Sequence, residues 1–376
     1  MNILCPICKN YNVKFIYHFS DSPAVQNKLY FSRKDALKEK KMVIDLYGCK
    51  NCGFVFNKNY NHKESDFSSL YDARLDFSPY LHSYLLKLAK ELITKYQLHA
   101  KKVAEIGSGK GDFLEILYAM GVKNIKGFDS TYINHNPVID KLIKKEHFNK
   151  RNATGVYDFI ICRHVLPYIT NLRSFISLIL SHLKRGGAMY FEFQDLNWII
   201  RQESLFDFHY EYYGYLTKSS IIYLFVKEGF FDITFQQAIG GQYLKVEVTS
   251  KNLKIGPPRV TASNFIKINK FIKRKINYYR QLTNSIKEPF IIWGAGAKGV
   301  TFLNRLKINF KKCPYIIDIN PNKQNKFIPI TGQQIVSPSI LADVNIKVII
   351  IVNPVYKKEI KKMARKYNYK GKFILI

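Results

Sequence analysis

Twice in this chain an apolar run is cut by clustered glycines and continues as a helix-forming stretch. The first is KVAEIGSGKGDFLEILYAMG, around Gly107, Gly109 and Gly111; the second is PFIIWGAGAKGVTFLNRL, around Gly294, Gly296 and Gly299. A strand that turns on glycine into a helix opens a Rossmann-like unit, because a residue without Cβ lets the backbone turn sharply and lie close to a ligand. IKGFDS, YDFIICRHV and AMYFEFQD read as further strands of the first unit, and LRSFISLILSHLKRGG as a helix ending on Gly186 and Gly187. PYIIDINP, KVIIIVNP and the helix KKEIKKMARKY continue the second unit. Alternating strands and helices predict an α/β chain of parallel, doubly wound sheets.

With 376 residues the chain exceeds the ~250–300 at which one core stops growing. Three parts are expected: a small module over 1–64, the first α/β domain over 65–250 and a second over 251–376. A stretch with Gly256, Pro257 and Pro258 links the last two, followed by a basic helix over 263–284. Hydrophobic residues make up 47% and aromatics 15%, too many for a disordered chain. The formal charge of +31 comes mostly from scattered Lys, without the Arg and aromatic clusters that read bases. No nucleic-acid partner is expected; the charge suits attraction of an anionic substrate. The first residues lack a signal peptide's basic and apolar regions, and the apolar run over 348–352 falls far short of the ~20 residues a bilayer needs. A cytoplasmic protein without a membrane span is expected.

Four of the six cysteines form the pairs Cys5-Pro-Ile-Cys8 and Cys49-Lys-Asn-Cys52. Each CxxC makes a tight knuckle, and two knuckles complete a tetrahedral four-thiolate zinc site with no position open to water, which is therefore structural. Cys162 and Cys313 sit in apolar strands as core residues.

The first glycine loop reads GxGxG with Glu105 two residues ahead, and Asp129 ends the next strand. This differs from the GxGxxG of a dinucleotide site and is similar to class I methyltransferases, whose cofactor carries an amino-acid tail and a ribose that a carboxylate can hold. His164 lies at the end of the following strand, where doubly wound folds keep their ligands. The segment over 206–215 is dense in aromatic rings and also carries His209 and Glu211; it either lines a pocket or forms a packed corner. In the second glycine loop Lys298 either meets a phosphate or merely follows a tight turn. Asn353-Pro354-Val355-Tyr356 ends an apolar strand and carries no chemistry.

Together CPIC, CKNCG, PAVQN, EIGSGKGDFLEIL, ICRHVL, YEYYGYLT, GGQYL, WGAGAKGV, DINPNKQ and NPVYKKEI resemble the sugar C-methyltransferase family over nearly the whole chain. The family joins a four-cysteine zinc domain, a class I methyltransferase domain and a C-terminal Rossmann-like domain, and the C-terminal strings resemble a branch common in bacterial surface-polysaccharide loci. The resemblance implies S-adenosylmethionine bound by Glu105, Gly107, Gly109, Gly111, Asp129 and Arg163. It implies a nucleotide-linked 4-keto deoxysugar as acceptor, in a monomer or homodimer. The ketone acidifies the neighbouring C–H, and a His base removes that proton. Here the chain departs from the family, with Tyr212 and Tyr168 where relatives carry His. Catalysis is expected of His209, Glu211, His164 and Tyr212, with Glu211 orienting the substrate and His209 favoured over His164 as base. The alternatives are O- or N-methylation of a sugar or related small molecule, an RNA methyltransferase, and a binding protein that has lost catalysis.

Overall fold

The structure, a computed structural model, describes residues 3–65, 67, 71–72, 77–230, 232–249 and 263–376, with only the backbone of 263–266. The expected linker at Gly256, Pro257 and Pro258 lies outside the described residues.

The central sheet has seven strands in the spatial order Asp232–Ala238, Tyr243–Thr249, Leu183–Gln194, Tyr157–Arg163, Val103–Ile106, Ile125–Phe128, Ile143–Lys144. The last five are mutually parallel, and the hairpin of the first two joins antiparallel beside Leu183–Gln194. This is the class I methyltransferase fold. Its central strands are buried on both faces, as their unbroken apolar runs require. Helix Pro79–Tyr96 starts at Ser78, whose hydroxyl accepts from Leu81 N, and lays Leu81, Leu85, Leu88, Ala89, Leu92 and Ile93 into the core at helical spacing.

The helix expected to run to Gly186 and Gly187 ends earlier. It spans Leu172–Ser181, and the strand begins at Leu183. Pairing jumps from Tyr157↔Leu183 to Phe159↔Ala188, so the basic tetrad 184–187 bulges out of the ladder. Gly186 at φ 78° makes the bulge, and a Cβ on Gly187 would lie 2.9 Å from Asp158 O.

The C-terminal sheet is wholly parallel, in the order Gln334–Val336, Tyr315–Ile317, Ile291–Trp293, Val348–Ile351, Lys372–Leu375, which is a second Rossmann-like unit. The basic helix before it spans Ser263–Ser285. A smaller antiparallel sheet of Val13–Ser22, Met42–Cys49 and Val55–Asn57 carries the cysteine pairs. Its fourth strand is Gly214–Tyr215 from the aromatic segment. No helix among the described residues is long and apolar enough to cross a membrane.

Candidate active site

A cleft of about 810 Å³ runs between the two glycine loops. At one end Gly107 and Gly109 turn the chain out of strand Val103–Ile106 at φ 75° and 58°. A Cβ on Gly107 would lie 2.1 Å from Val165 Cγ2, whereas Gly109 has nothing within 4 Å and faces open space. Asp129 Oδ2 accepts Gly109 N at 2.7 Å, and its Oδ1 accepts Thr131 N and Oγ1, both at 2.7 Å. Glu105 is fully buried beside the loop; burial pushes its carboxyl up to about 8, and its Oε2 has no hydrogen-bond partner. Gly111 does not line the cleft and instead caps helix Asp112–Ala119.

Arg163 and His164 end the neighbouring strand. Arg163 lies 4.6 Å over the Phe113 ring and donates to Glu192 Oε1 at 3.1 Å. His164 Nε2 is 3.0 Å from the same oxygen, and His164 N donates to Glu192 O at 2.7 Å. Tyr84 and Tyr190 hydroxyls donate to the other carboxylate oxygen. Burial alone would raise the Glu192 carboxyl, but Arg163 and His164 outweigh it and hold the group well below the usual range. Sequence reasoning missed Glu192; its signal is a lone acid inside AMYFEFQ, where a buried charge requires partners.

Farther along, Tyr168 and Tyr212 meet edge to face with centroids 5.1 Å apart, and burial raises both hydroxyls well above their ordinary value. Glu211 is buried, accepts Gln26 N at 3.3 Å, and is pushed by burial up to about 8. His209 is 2% exposed, with Nδ1 3.0 Å from Thr301 Oγ1. Burial, with Lys298 and Arg305 nearby, lowers its ring to about 4 against the pull of Asp207.

The second glycine loop closes the cleft. Gly294 and Gly296 have nothing within 4 Å where a Cβ would stand. Ala295 N donates to Asp318 Oδ2 at 2.9 Å, in the arrangement Gly109 and Asp129 make in the first unit. Lys298 is already committed, 2.8 Å from buried Asp207. The lysine sequence reasoning passed over is Lys323, 3% exposed on the cleft wall, donating to Asn27 Oδ1 and Ala295 O, both at 3.1 Å. Elsewhere, the sulfurs of Cys5, Cys8, Cys49 and Cys52 all lie within 4.8 Å of one another.

Residues 77–230 match the family described as a methyltransferase domain, and residues 263–376 match the one described as a C-methyltransferase C-terminal domain. The chain is a methyltransferase. A search of curated proteins finds no match to it. Among solved structures this methyltransferase is similar to the N-methyltransferase NodS from Bradyrhizobium japonicum WM9, at 18% identity over 46% of this chain and 98% of that one, with a TM-score of 0.33. It is also similar to magnesium protoporphyrin IX methyltransferase (ChlM) from Synechocystis PCC 6803 with bound SAM, at 15% identity over 45% and 79%, with a TM-score of 0.35.

Proposed function

We propose that this methyltransferase methylates carbon next to the ketone of a nucleotide-linked keto-sugar. The cofactor lies at the first glycine loop, the acceptor's nucleotide at the second, and zinc in the four-cysteine site. The observation that carries the reading is the single cleft joining Glu105, Gly107 and Asp129 to Gly294 and Asp318 past His164, Glu211 and Tyr212.

The residues present fit the cofactor. The unpartnered Glu105 Oε2 suits the ammonium of an amino-acid tail, and Asp129 Oδ2 accepts one bond, leaving a lone pair for a ribose hydroxyl. When bound, the cofactor supplies an electrophilic methyl group. The chain's own residues orient the acceptor and move a proton. Tyr168 and Tyr212, kept protonated by burial, serve as hydrogen-bond donors rather than bases. Glu211 holds its proton around neutrality and can donate to a carbonyl oxygen. His164 and His209, two of the four imidazoles that line the cleft beside His62 and His147, can take the α-proton. Lys323 and the start of helix Ala297–Leu306 suit a diphosphate, with Lys298 held by Asp207. The cysteine sulfurs are spaced as a thiolate tetrahedron around zinc requires, since Zn–S bonds of about 2.3 Å put sulfurs about 3.8 Å apart.

Deuterium washout tests the reading with dTDP-4-keto-6-deoxyglucose in heavy water. Exchange at the carbon beside the ketone is expected without added cofactor. Demonstrated binding without exchange overturns carbon methylation in favour of a heteroatom acceptor or a protein without turnover.

A further inference from the structure

Four imidazoles line the cleft, those of His62, His147, His164 and His209, and the last two differ in burial and in what stands beside the ring. His209 is buried with Nδ1 engaged by Thr301 Oγ1, and the charges around it are mixed: the Asp207 carboxylate, with Lys298 and Arg305 of helix Ala297–Leu306 opposing it. His164 faces an anion. Its Nε2 lies 3.0 Å from Glu192 Oε1, with Arg163 Nη2 farther off at 3.4 Å, and the Glu192 side chain is fully buried. Arg163 and the Tyr84 and Tyr190 hydroxyls fix that carboxylate from other sides, while the Tyr243 ring packs edge-on against the imidazole at 5.0 Å.

His164 is also held by its backbone. Its φ is 59°, in the left-handed region that a residue with a Cβ enters at a cost, and its N–H is tied to Glu192 O at 2.7 Å. The same glutamate thus grips the residue at main chain and ring. Nε2 has two partners, Glu192 Oε1 at 3.0 Å and Arg163 Nη2 at 3.4 Å; with the nearer carboxylate taking its proton the lone pair falls on Nδ1, and the ring stands one-third exposed on the cleft wall.

We infer that Glu192 is a positioning residue that makes His164 Nδ1 the base of the proposed reaction, displacing His209 from that role. This rests on the carbon-methylation reading. In the step the α-C–H bond breaks, its electron pair passes into the enolate, and the proton forms a bond to Nδ1. The buried Glu192 carboxylate offsets the resulting imidazolium charge, as the carboxylate of a hydrolytic triad does without itself being protonated.

Two measurements test this separately from the reaction. Nitrogen-15 NMR of histidine-labelled protein, with His164 assigned by its absence in His164→Gln, is expected to show the Nε2–H tautomer at alkaline pH in wild type. Loss of that preference is expected in Glu192→Gln, whose amide donates where the carboxylate accepted. An Nδ1–H tautomer in wild type overturns the inference whatever the substrate. In the washout assay His164→Ala is expected to lose about 10²-fold or more of the exchange rate, with partial rescue by added imidazole. Glu192→Gln is expected to lose at least about tenfold and Glu192→Asp less, with calorimetric affinity for the keto-sugar nucleotide retained. Exchange that persists in His164→Ala refutes the base while leaving carbon methylation standing. Absence of exchange in wild type refutes the reading itself, and the tautomer still decides whether Glu192 sets His164.

Discussion

Glu105 and Glu211 carry their carboxyls where burial has removed water, and His209 carries an imidazole under the same condition, so the three titrate in opposite senses. For each acid the folded value, about 8, lies above the ordinary carboxyl value of 4.5. Its stabilising contribution is full below the unfolded value and disappears as pH rises through the folded one. For His209 the folded value, about 4, lies below 6.5, so its contribution is present above the unfolded value and disappears as pH falls. Two acids outweigh one histidine, so the contribution of these three groups is expected to be greatest near pH 4.5 and to fall as pH rises toward 8. Glu211→Gln keeps an acceptor for Gln26 N and is expected to remove part of the decline, giving a Tm about 5 °C above wild type at about pH 9 and little difference at about pH 4. Equal Tm profiles by scanning calorimetry would contradict the buried-carboxyl assignment. A second residue-scale expectation concerns Asp129. Asp129→Ala removes an acceptor from Gly109 N and Thr131, and is expected to weaken calorimetric S-adenosylmethionine binding by about 1.5–3 kcal/mol. At this scale Glu105, Asp129 and His164 were legible because each stands beside a glycine turn or a strand end. Glu192 was not, because its partners Tyr84, Arg163, His164 and Tyr190 come from separate stretches that only the sheet brings together. The partner of Lys298 was hidden for the same reason: its carboxylate, Asp207, lies in a distant stretch of the chain.

At the scale of elements, the cysteine knuckles do more than close a small module. Cys5, Cys49 and Cys52 are buried in one apolar cluster with Phe54 and Phe56, against which Tyr213 packs. Strand Val55–Asn57, just past the second knuckle, pairs with Gly214–Tyr215, so the cysteine cluster braces the segment that carries Glu211 and Tyr212. Purified protein is expected to carry one zinc per chain by elemental analysis, and Cys49→Ser with Cys52→Ser to lose it together with most of the soluble yield; metal-free protein that stays folded contradicts a structural site. Gly214→Ala probes the same joint by packing alone, since its Cβ would stand 2.2 Å from Phe54 Cζ. A loss of about 1–3 kcal/mol in urea unfolding is expected. The two pairs were legible from CxxC spacing. The strand at Gly214–Tyr215 was not, because two residues carry no periodicity and their partner lies in the N-terminal sheet. The helix misread over 184–187 has the same origin: local glycines read as a cap, while the ladder to Tyr157 turns them into a bulge.

Across the whole molecule the units share cores as well as a cleft. One apolar cluster contains Ile16, Phe19, Ile44 and Leu46 of the N-terminal sheet, Leu205, Phe206 and Phe208 of the aromatic segment, and Ile268, Phe271, Ile272 and Phe302 of the C-terminal part. Polar ties cross at other points: Ser78 Oγ to Glu359 at 2.8 Å, Gln242 Nε2 to Asn353 at 2.7 Å and Asn320 Nδ2 to Asp72 at 3.1 Å. Alternating α/β patterns and the two glycine loops disclosed two Rossmann-like units in the sequence, but not this sharing, because the apolar residues that form a shared cluster look no different from those of a private core. Arg305 shows the difference: a helix arginine that reads as solvated is 2% exposed, pairs with Asp21 and donates to Phe208 O at 3.1 Å. Removing residues 251–376 would uncover Phe19, Phe206 and Phe208 together with the unpaired Asp21, a contiguous apolar patch of the kind that drives aggregation. The full chain is accordingly expected to unfold in one calorimetric transition, with van't Hoff and calorimetric enthalpies agreeing, although the fold contains separate sheets. Chain 1–250 expressed alone is expected to be insoluble or to bind a hydrophobic dye. Two resolved transitions, together with a soluble 1–250 fragment that keeps its near-ultraviolet circular dichroism, would mean instead that the cluster joins cores each sufficient by itself.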